Sequence, residues 1–107
     1  MARWIIPFNE IHIEDVGIVG GKNASLGEMF RELKANGVRV PDGFAVTAEA
    51  FREFFRATGL DTEVRAILKD LNTQNAESLQ RCGRAAREAI LKKEIPAAIQ
   101  AEILKAY

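Results

Sequence analysis

Apolar positions along this chain recur mostly with the period of a helix. Leu26, Met29, Phe30 and Leu33 stand at i, i+3, i+4 and i+7, which places them on one face of an amphipathic helix. Ser25-Leu26-Gly27-Glu28 fits a capping box at its start, Asn23 is an alternative cap, and Gly37 is a stop signal. Phe51, Phe54 and Phe55 share one side of a second helix, capped by Thr47 and ended by Gly59. Val64, Ile67, Leu68 and Leu71 repeat the spacing in a third helix, which starts at Asp61 or Thr62. After the polar break Asn72-Thr73-Gln74-Asn75, a fourth stripe runs through Leu79, Cys82, Ala86 and Ile90. A fifth runs through Ile95, Ile99, Ile103 and Tyr107, with Pro96 in its first turn.

Strand signals are short. Arg3-Trp4-Ile5-Ile6-Pro7-Phe8 is rich in β-formers, but Pro7 has no amide hydrogen to give to a ladder, so a short or edge strand is predicted. Asn9 to Val19 alternates loosely, through Ile11, Ile13, Val16, Ile18 and Val19, and reads as a loop running into Gly20-Gly21. Val38-Arg39-Val40 alternates as well. Pro41-Asp42-Gly43 then predicts a turn, since Pro sets φ and Gly permits φ > 0, and Phe44-Ala45-Val46 predicts a strand leaving it. The sum is an α+β chain, mostly helical with a few short strands, in which no repeat or low-complexity tract appears. Leu104-Lys105-Ala106-Tyr107 carries no Gly, Asn or Pro after it, so the last helix has no stop signal and the chain is expected to be a piece of something larger.

Composition narrows the function classes. At 107 residues and 48% hydrophobic content this is one ordinary domain or part of one. The 15 Lys+Arg residues balance the 15 Asp+Glu, which leaves no broad basic field for nucleic acid. No apolar run approaches the ~20 residues of a membrane span. A small molecule or a protein is therefore the expected partner. The single Cys82 cannot form an internal disulfide, and Pro7, Asn9 and Glu10 interrupt Trp4-Ile5-Ile6 before a secretory signal could form, so a reducing cytoplasm is expected.

Residues with chemistry to offer are scarce. His12 is the only imidazole and reads as a loop residue, Cys82 reads as a small core hydrophobe, and no Cys/His cluster has metal-ligand spacing. Arg81, Arg84 and Arg87 recur every three residues, but Glu77 and Glu88 are interspersed and the stripe reads as a solvated face. The informative segment is Gly20-Gly21-Lys22-Asn23, paired glycines and a lysine just ahead of a helix. Free amides and the positive dipole end of a helix attract anions, glycines let the backbone come close, and a Lys ammonium reaches a phosphate oxygen. The segment is not a Walker A loop, because Val16 stands where its first Gly belongs and Asn23 where Ser or Thr follows the Lys. On these residues alone, a phosphate site and a tight turn with a solvated Lys both remain open.

The longer wording decides more. Val19-Gly20-Gly21-Lys22-Asn23-Ala24-Ser25-Leu26-Gly27-Glu28-Met29, followed by Gly37-Val38-Arg39-Val40-Pro41-Asp42-Gly43-Phe44-Ala45-Val46-Thr47 and Phe51, closely resembles the pyruvate, phosphate dikinase-type nucleotide-binding domain. Within that family, G-G-K-N-A-S-L-G-E-M is nearer to the phosphoenolpyruvate synthase branch than to the dikinase branch, which more often reads G-G-K-G-A-N-L. The likeness is specific over residues 16 to 55, whereas residues 60 to 107 share only a helical pattern.

The resemblance implies an ATP-grasp-like fold, of which residues 1–107 would be a partial N-terminal ATP-binding domain: the glycine-lysine loop and family core over 1–59, a helical segment over 60–107. It further implies an enzyme in which ATP phosphorylates a histidine on another domain, phosphate is released, and the phosphohistidine converts pyruvate to phosphoenolpyruvate, leaving AMP. Lys22 inherits contact with the nucleotide phosphates, with Gly20 and Gly21 allowing the approach and Asn23 at the helix start. No catalytic or metal-ligating residue is expected in this piece. The Mg²⁺ ligands, the phosphohistidine and the pyruvate site are expected in the remainder of the polypeptide, so the piece alone is expected to be inactive. The alternatives are a phosphotransferase of the same family with another acceptor, such as a pyruvate phosphate dikinase or a rifampicin phosphotransferase, and a non-catalytic helical interaction module.

Overall fold

The structure is a computed structural model and describes residues 3–107. They fall into two compact units, one made of the chain up to Arg52 together with Ala97–Tyr107, the other of Glu53–Pro96.

The first unit is organised by a small antiparallel sheet in which β1 (Ile5–Pro7) pairs with β2 (Phe44–Val46), Ile6 opposite Ala45. Pro7 falls at the end of its strand, where its missing N–H costs least, and the next amide, Phe8, donates to the Gly43 carbonyl at 2.9 Å. Thr47 closes the other end. Its amide donates to the Trp4 carbonyl at 2.9 Å and its hydroxyl to the Arg3 carbonyl at 2.6 Å. The same hydroxyl accepts from the Ala50 amide, so Thr47 also caps α3 (Ala48–Thr58), as its position predicts.

Residues 9–19, expected to form a loop, are instead wound. A 3-10 turn over Phe8–Glu10 and another over Ile13–Asp15 lead into the single helical turn α1 (Val16–Val19). The Asp15 carboxylate stabilises the second turn by accepting from the His12 amide at 2.8 Å, a local bond that sequence periodicity does not register.

Helix α2 runs over Gly21–Ala35. It starts earlier than either cap suggested by the sequence: Asn23 and Ser25 both lie inside it, because Gly20 itself makes the turn into the helix. The face it buries also differs. Ala24, Gly27 and Phe30 are buried, whereas Met29 and Leu33 of the apolar stripe are 45% and 36% exposed. The reason is Ile11, which lies directly on the helix; a Cβ on Gly27 would stand 2.6 Å from the Ile11 Cβ and 2.9 Å from its carbonyl oxygen. Ile11 forms the core of this unit with Ile6, Val19, Ala24 and Ala45, and Phe8 packs against that cluster. Gly37, at φ +80°, ends α2 as predicted, with the Val38 amide reaching back to the Leu33 carbonyl at 2.9 Å.

Pro41-Asp42-Gly43 makes no hydrogen-bonded turn, and residues 38–43 have no regular structure. Gly43 serves close approach rather than positive φ, for a Cβ there would meet the Phe8 ring at 2.9 Å. Helix α6 (Ala97–Ala106) starts just after Pro96 and lies against β1 with Ile99 buried.

In the second unit α4 (Leu60–Leu68) packs against α5 (Ala76–Leu91). Gly59, at φ +76°, ends α3 as predicted, and α4 begins directly after it rather than at Asp61 or Thr62. The residue so recruited, Leu60, is completely buried. Asn75 caps α5 by accepting from the Ser78 amide at 3.0 Å, and the Ser78 hydroxyl accepts from the Asn72 amide. The buried face of α5 carries Ser78, Cys82 and Ala89, while Leu79 of the expected stripe is 45% exposed. The Cys82 thiol donates to the Ile67 carbonyl of α4 at 3.6 Å, which fits its reading as a small core residue.

Replacing Gly27 with Ala tests the Ile11 contact. Ala in a helix interior normally gains ~1 kcal/mol over Gly, yet here overpacking should outweigh this and cost about 1–3 kcal/mol in denaturant unfolding. Gly17→Ala, where nothing lies within 4 Å of the added carbon, should cost nothing. The orientation of α2 has its own test: Phe30→Ala should lose about 3–5 kcal/mol and Met29→Ala should stay near the ~0.5 kcal/mol of a surface change. Equal losses at the two sites would contradict the orientation.

Candidate functional site

The glycine-lysine segment forms the start of α2. Gly20, at φ 86° and ψ 161°, occupies a backbone region essentially closed to residues with a Cβ, and from it the chain turns directly from α1 into α2. Its amide ends α1 by donating to the Val16 carbonyl at 2.8 Å, and its carbonyl accepts the first bond of α2, from Ala24, at 3.0 Å. The amides of Gly21, Lys22 and Asn23 then have no intrahelical acceptor, and no side chain caps them. Gly20, Gly21 and Lys22 are exposed, and nothing lies within 4 Å of a Cβ built on either glycine.

Lys22 is exposed, and no hydrogen bond or ion pair joins it to any described residue. It stands in the first turn of a 15-residue helix, whose aligned peptide dipoles place positive potential at this end. The first turn of α2 thus holds an exposed lysine, the positive end of the dipole and free amides together, a combination suited to an anion. Asn23 contributes differently from the other three: its amide N–H belongs to the free first turn, but its half-buried side chain donates back to the Val19 carbonyl at 2.9 Å and ties α1 to α2.

The segment leading into this turn is held by a pair of side chains, one of which, Glu28, the sequence assigns to a capping box. Glu28, expected to complete a capping box with Ser25, accepts instead from the Ile13 amide at 3.2 Å and from the Arg31 guanidinium at 2.6 Å. Arg31 also donates through Nε to the Ile11 carbonyl at 3.1 Å. The i, i+3 spacing of Glu28 and Arg31 is a visible signal for their ion pair, but their backbone partners lie 15 and 20 residues away and leave none.

The other candidates form no comparable arrangement among the described residues. His12 is exposed, Cys82 is buried in the second unit, and Arg81, Arg84 and Arg87 are exposed along α5. The Arg56 guanidinium is held above its ordinary value, chiefly by its hydrogen bond to Glu53 and the charge of that carboxylate, with Asp61 adding to it; burial opposes the shift. It sits in an exposed ion pair of α3. Among the described residues no group of three or more His, Cys, Asp or Glu side chains is placed to hold a metal ion, and no helix is long and apolar enough to cross a membrane.

Residues 16–107 match the family described as pyruvate phosphate dikinase, AMP/ATP-binding domain, and the chain belongs to that family. Its relatives make the branch specific. A phosphoenolpyruvate synthase of Synechocystis is 45% identical over 96% of this chain, one of Neisseria meningitidis 44% over 98%, and one of Pseudomonas aeruginosa 38% over the full chain. The chain spans 13–14% of the length of these relatives.

The conformation at Gly20 makes a checkable demand. Gly20→Ala should destabilise the chain by about 1–3 kcal/mol through backbone strain alone, since the added methyl meets no atom. Denaturant unfolding measures it, and an unchanged midpoint would contradict the backbone geometry at the start of α2.

Proposed function

We propose that this chain is the opening part of the ATP-binding, ATP-grasp-like domain of an enzyme that makes phosphoenolpyruvate from pyruvate, ATP and water. In this reading ATP phosphorylates a histidine carried by another domain, phosphate is released, and the phosphohistidine passes its phosphoryl group to pyruvate, leaving AMP. Lys22 contacts the nucleotide phosphates, and the amides of Gly21, Lys22 and Asn23 face them, with Gly20 setting the direction of those amides. The chain's remainder supplies the phosphohistidine, the Mg²⁺ ligands and the pyruvate site, and the enzyme works in the cytoplasm, where Cys82 stays reduced.

The observation that carries the reading is an exposed Lys22 in the uncapped first turn of α2, in a chain of the AMP/ATP-binding family. Phosphoryl transfer leaves a protein little covalent chemistry to do; its work is positioning and the stabilisation of charge that shifts toward the leaving phosphates. A cation fixed against those oxygens does both. Pro41-Asp42-Gly43-Phe44 stays structural in this account, delivering β2 to the core.

The two half-reactions separate the nucleotide site from the pyruvate site. In the full-length enzyme, Lys22→Ala should slow phosphorylation of the enzyme by ATP by about 10²-fold, the loss typical of removing one preorganised charge-stabilising group. Exchange between the phosphorylated enzyme and pyruvate should be nearly unchanged. Equal loss in both half-reactions would mean misfolding, and no loss in either would remove Lys22 from the phosphate site.

A further inference from the structure

We propose that Glu28 and Arg31 are positioning residues for nucleotide phosphate binding, acting through the segment that precedes Gly20. The inference rests on the reading of Gly20–Asn23 as a phosphate site.

The chain from Ile13 to Gly20 is a strut fastened to α2 at both ends. Its far end is the Gly20 turn, continuous with α2 and tied to it again by the bond from the Asn23 side chain to the Val19 carbonyl. Its near end is held by the pair. Glu28 Oε2 accepts from the Ile13 amide and from Arg31 Nη2, and Arg31 Nε donates to the Ile11 carbonyl, so one carboxylate and one guanidinium grip the backbone on both sides of His12. Below them Ile11 rests on the bare Gly27 backbone. The Ile13 amide and the Ile11 carbonyl lie outside any strand or helix ladder, so without the pair these polar groups would lose their partners.

The pair is also better shielded than the Arg52–Glu49 pair of the same i, i+3 spacing. The Arg31 and Glu28 side chains are 25% and 38% exposed, against 64% and 49% for Arg52 and Glu49 on α3. Screening by water weakens the exposed pair far more. Gly20 holds its conformation only while the strut meets α2 at a fixed angle, and that conformation sets where the free amides and Lys22 point. Releasing the near end therefore misplaces the phosphate contacts without touching them.

A double-mutant cycle in the full-length enzyme tests this, reading kcat/KM for phosphorylation of the enzyme by ATP. Arg31→Ala should lower it about tenfold, below the ~10²-fold that a full 1 Å misplacement can cost. In the Lys22→Ala background the same change should cost much less, because residues that act through one another are not additive. Arg31→Lys, which keeps the charge but loses the planar fork that reaches Glu28 and the Ile11 carbonyl from separate nitrogens, should recover part of the loss. Exchange with pyruvate should not move. Equal loss from Arg31→Ala in both backgrounds, or no loss in the native one, overturns the positioning role while leaving Lys22 in place. A Lys22→Ala enzyme with native nucleotide kinetics overturns the phosphate reading and this inference together. If Arg31→Ala does not fold, Glu28→Gln, which keeps an acceptor for the Ile13 amide but loses the charge, runs the same cycle.

Discussion

The contact of Ile11 with Gly27 fixes more of the first unit than any other. A glycine in a helix interior forgoes roughly 0.5–1 kcal/mol relative to alanine, and here the bare backbone lets a side chain and a carbonyl come within the space a methyl would fill. That approach decides which face of α2 is buried. It brings the Ile11 carbonyl within reach of Arg31 and the Ile13 amide within reach of Glu28, side chains one and four residues along the same helix. Winding of residues 13–19 then has a fixed origin, and the turn at Gly20 a fixed destination.

The same constraint explains what the sequence shows and what it hides. Signals that act over a few residues are legible: the strand interrupted at Pro7, the stop at Gly37, the Thr47 cap and the break at Gly59 all stand where their local chemistry puts them. Helix faces are less legible. The apolar stripes of α2 and α5 predict burial of Met29, Leu33 and Leu79, yet all three are substantially exposed and Ala24, Gly27, Ser78 and Ala89 are buried instead. Hydrophobic periodicity finds bulk, whereas close approach between elements selects small residues. The start of α2 was misplaced for a related reason: Ser25 and Glu28 have the right spacing for a capping box, but the carboxylate is taken by a backbone amide distant in sequence.

Seen in three dimensions, the glycine-lysine motif divides its labour. Gly20 provides a backbone conformation, Gly21 an open approach, Asn23 a tie to α1, and Gly27 a contact surface, while Glu28 reaches back to the segment in front. Lys22, the one cation of the motif, is exposed and joined by no hydrogen bond or ion pair to a described residue. In the proposed function these neighbouring positions build the turn, and the one cation of the motif is the group that meets the ligand.

Energetics place a limit on what such a support does by itself. A unit charge 4 Å from a phosphate oxygen is worth only ~1 kcal/mol in bulk water and several times more where water is excluded. Lys22 and the free amides stand on an exposed surface, so their geometry is set but their dielectric is that of solvent. In the proposed enzyme the two contributions have separate sources. This chain, through the Gly27 contact and the Glu28–Arg31 pair, supplies the direction in which charge is presented, and the far longer remainder implied by its relatives supplies the walls that make that charge effective. Direction without walls predicts weak, salt-sensitive nucleotide binding by the isolated chain, because charges in open solvent are screened over about 10 Å at 0.1 M salt.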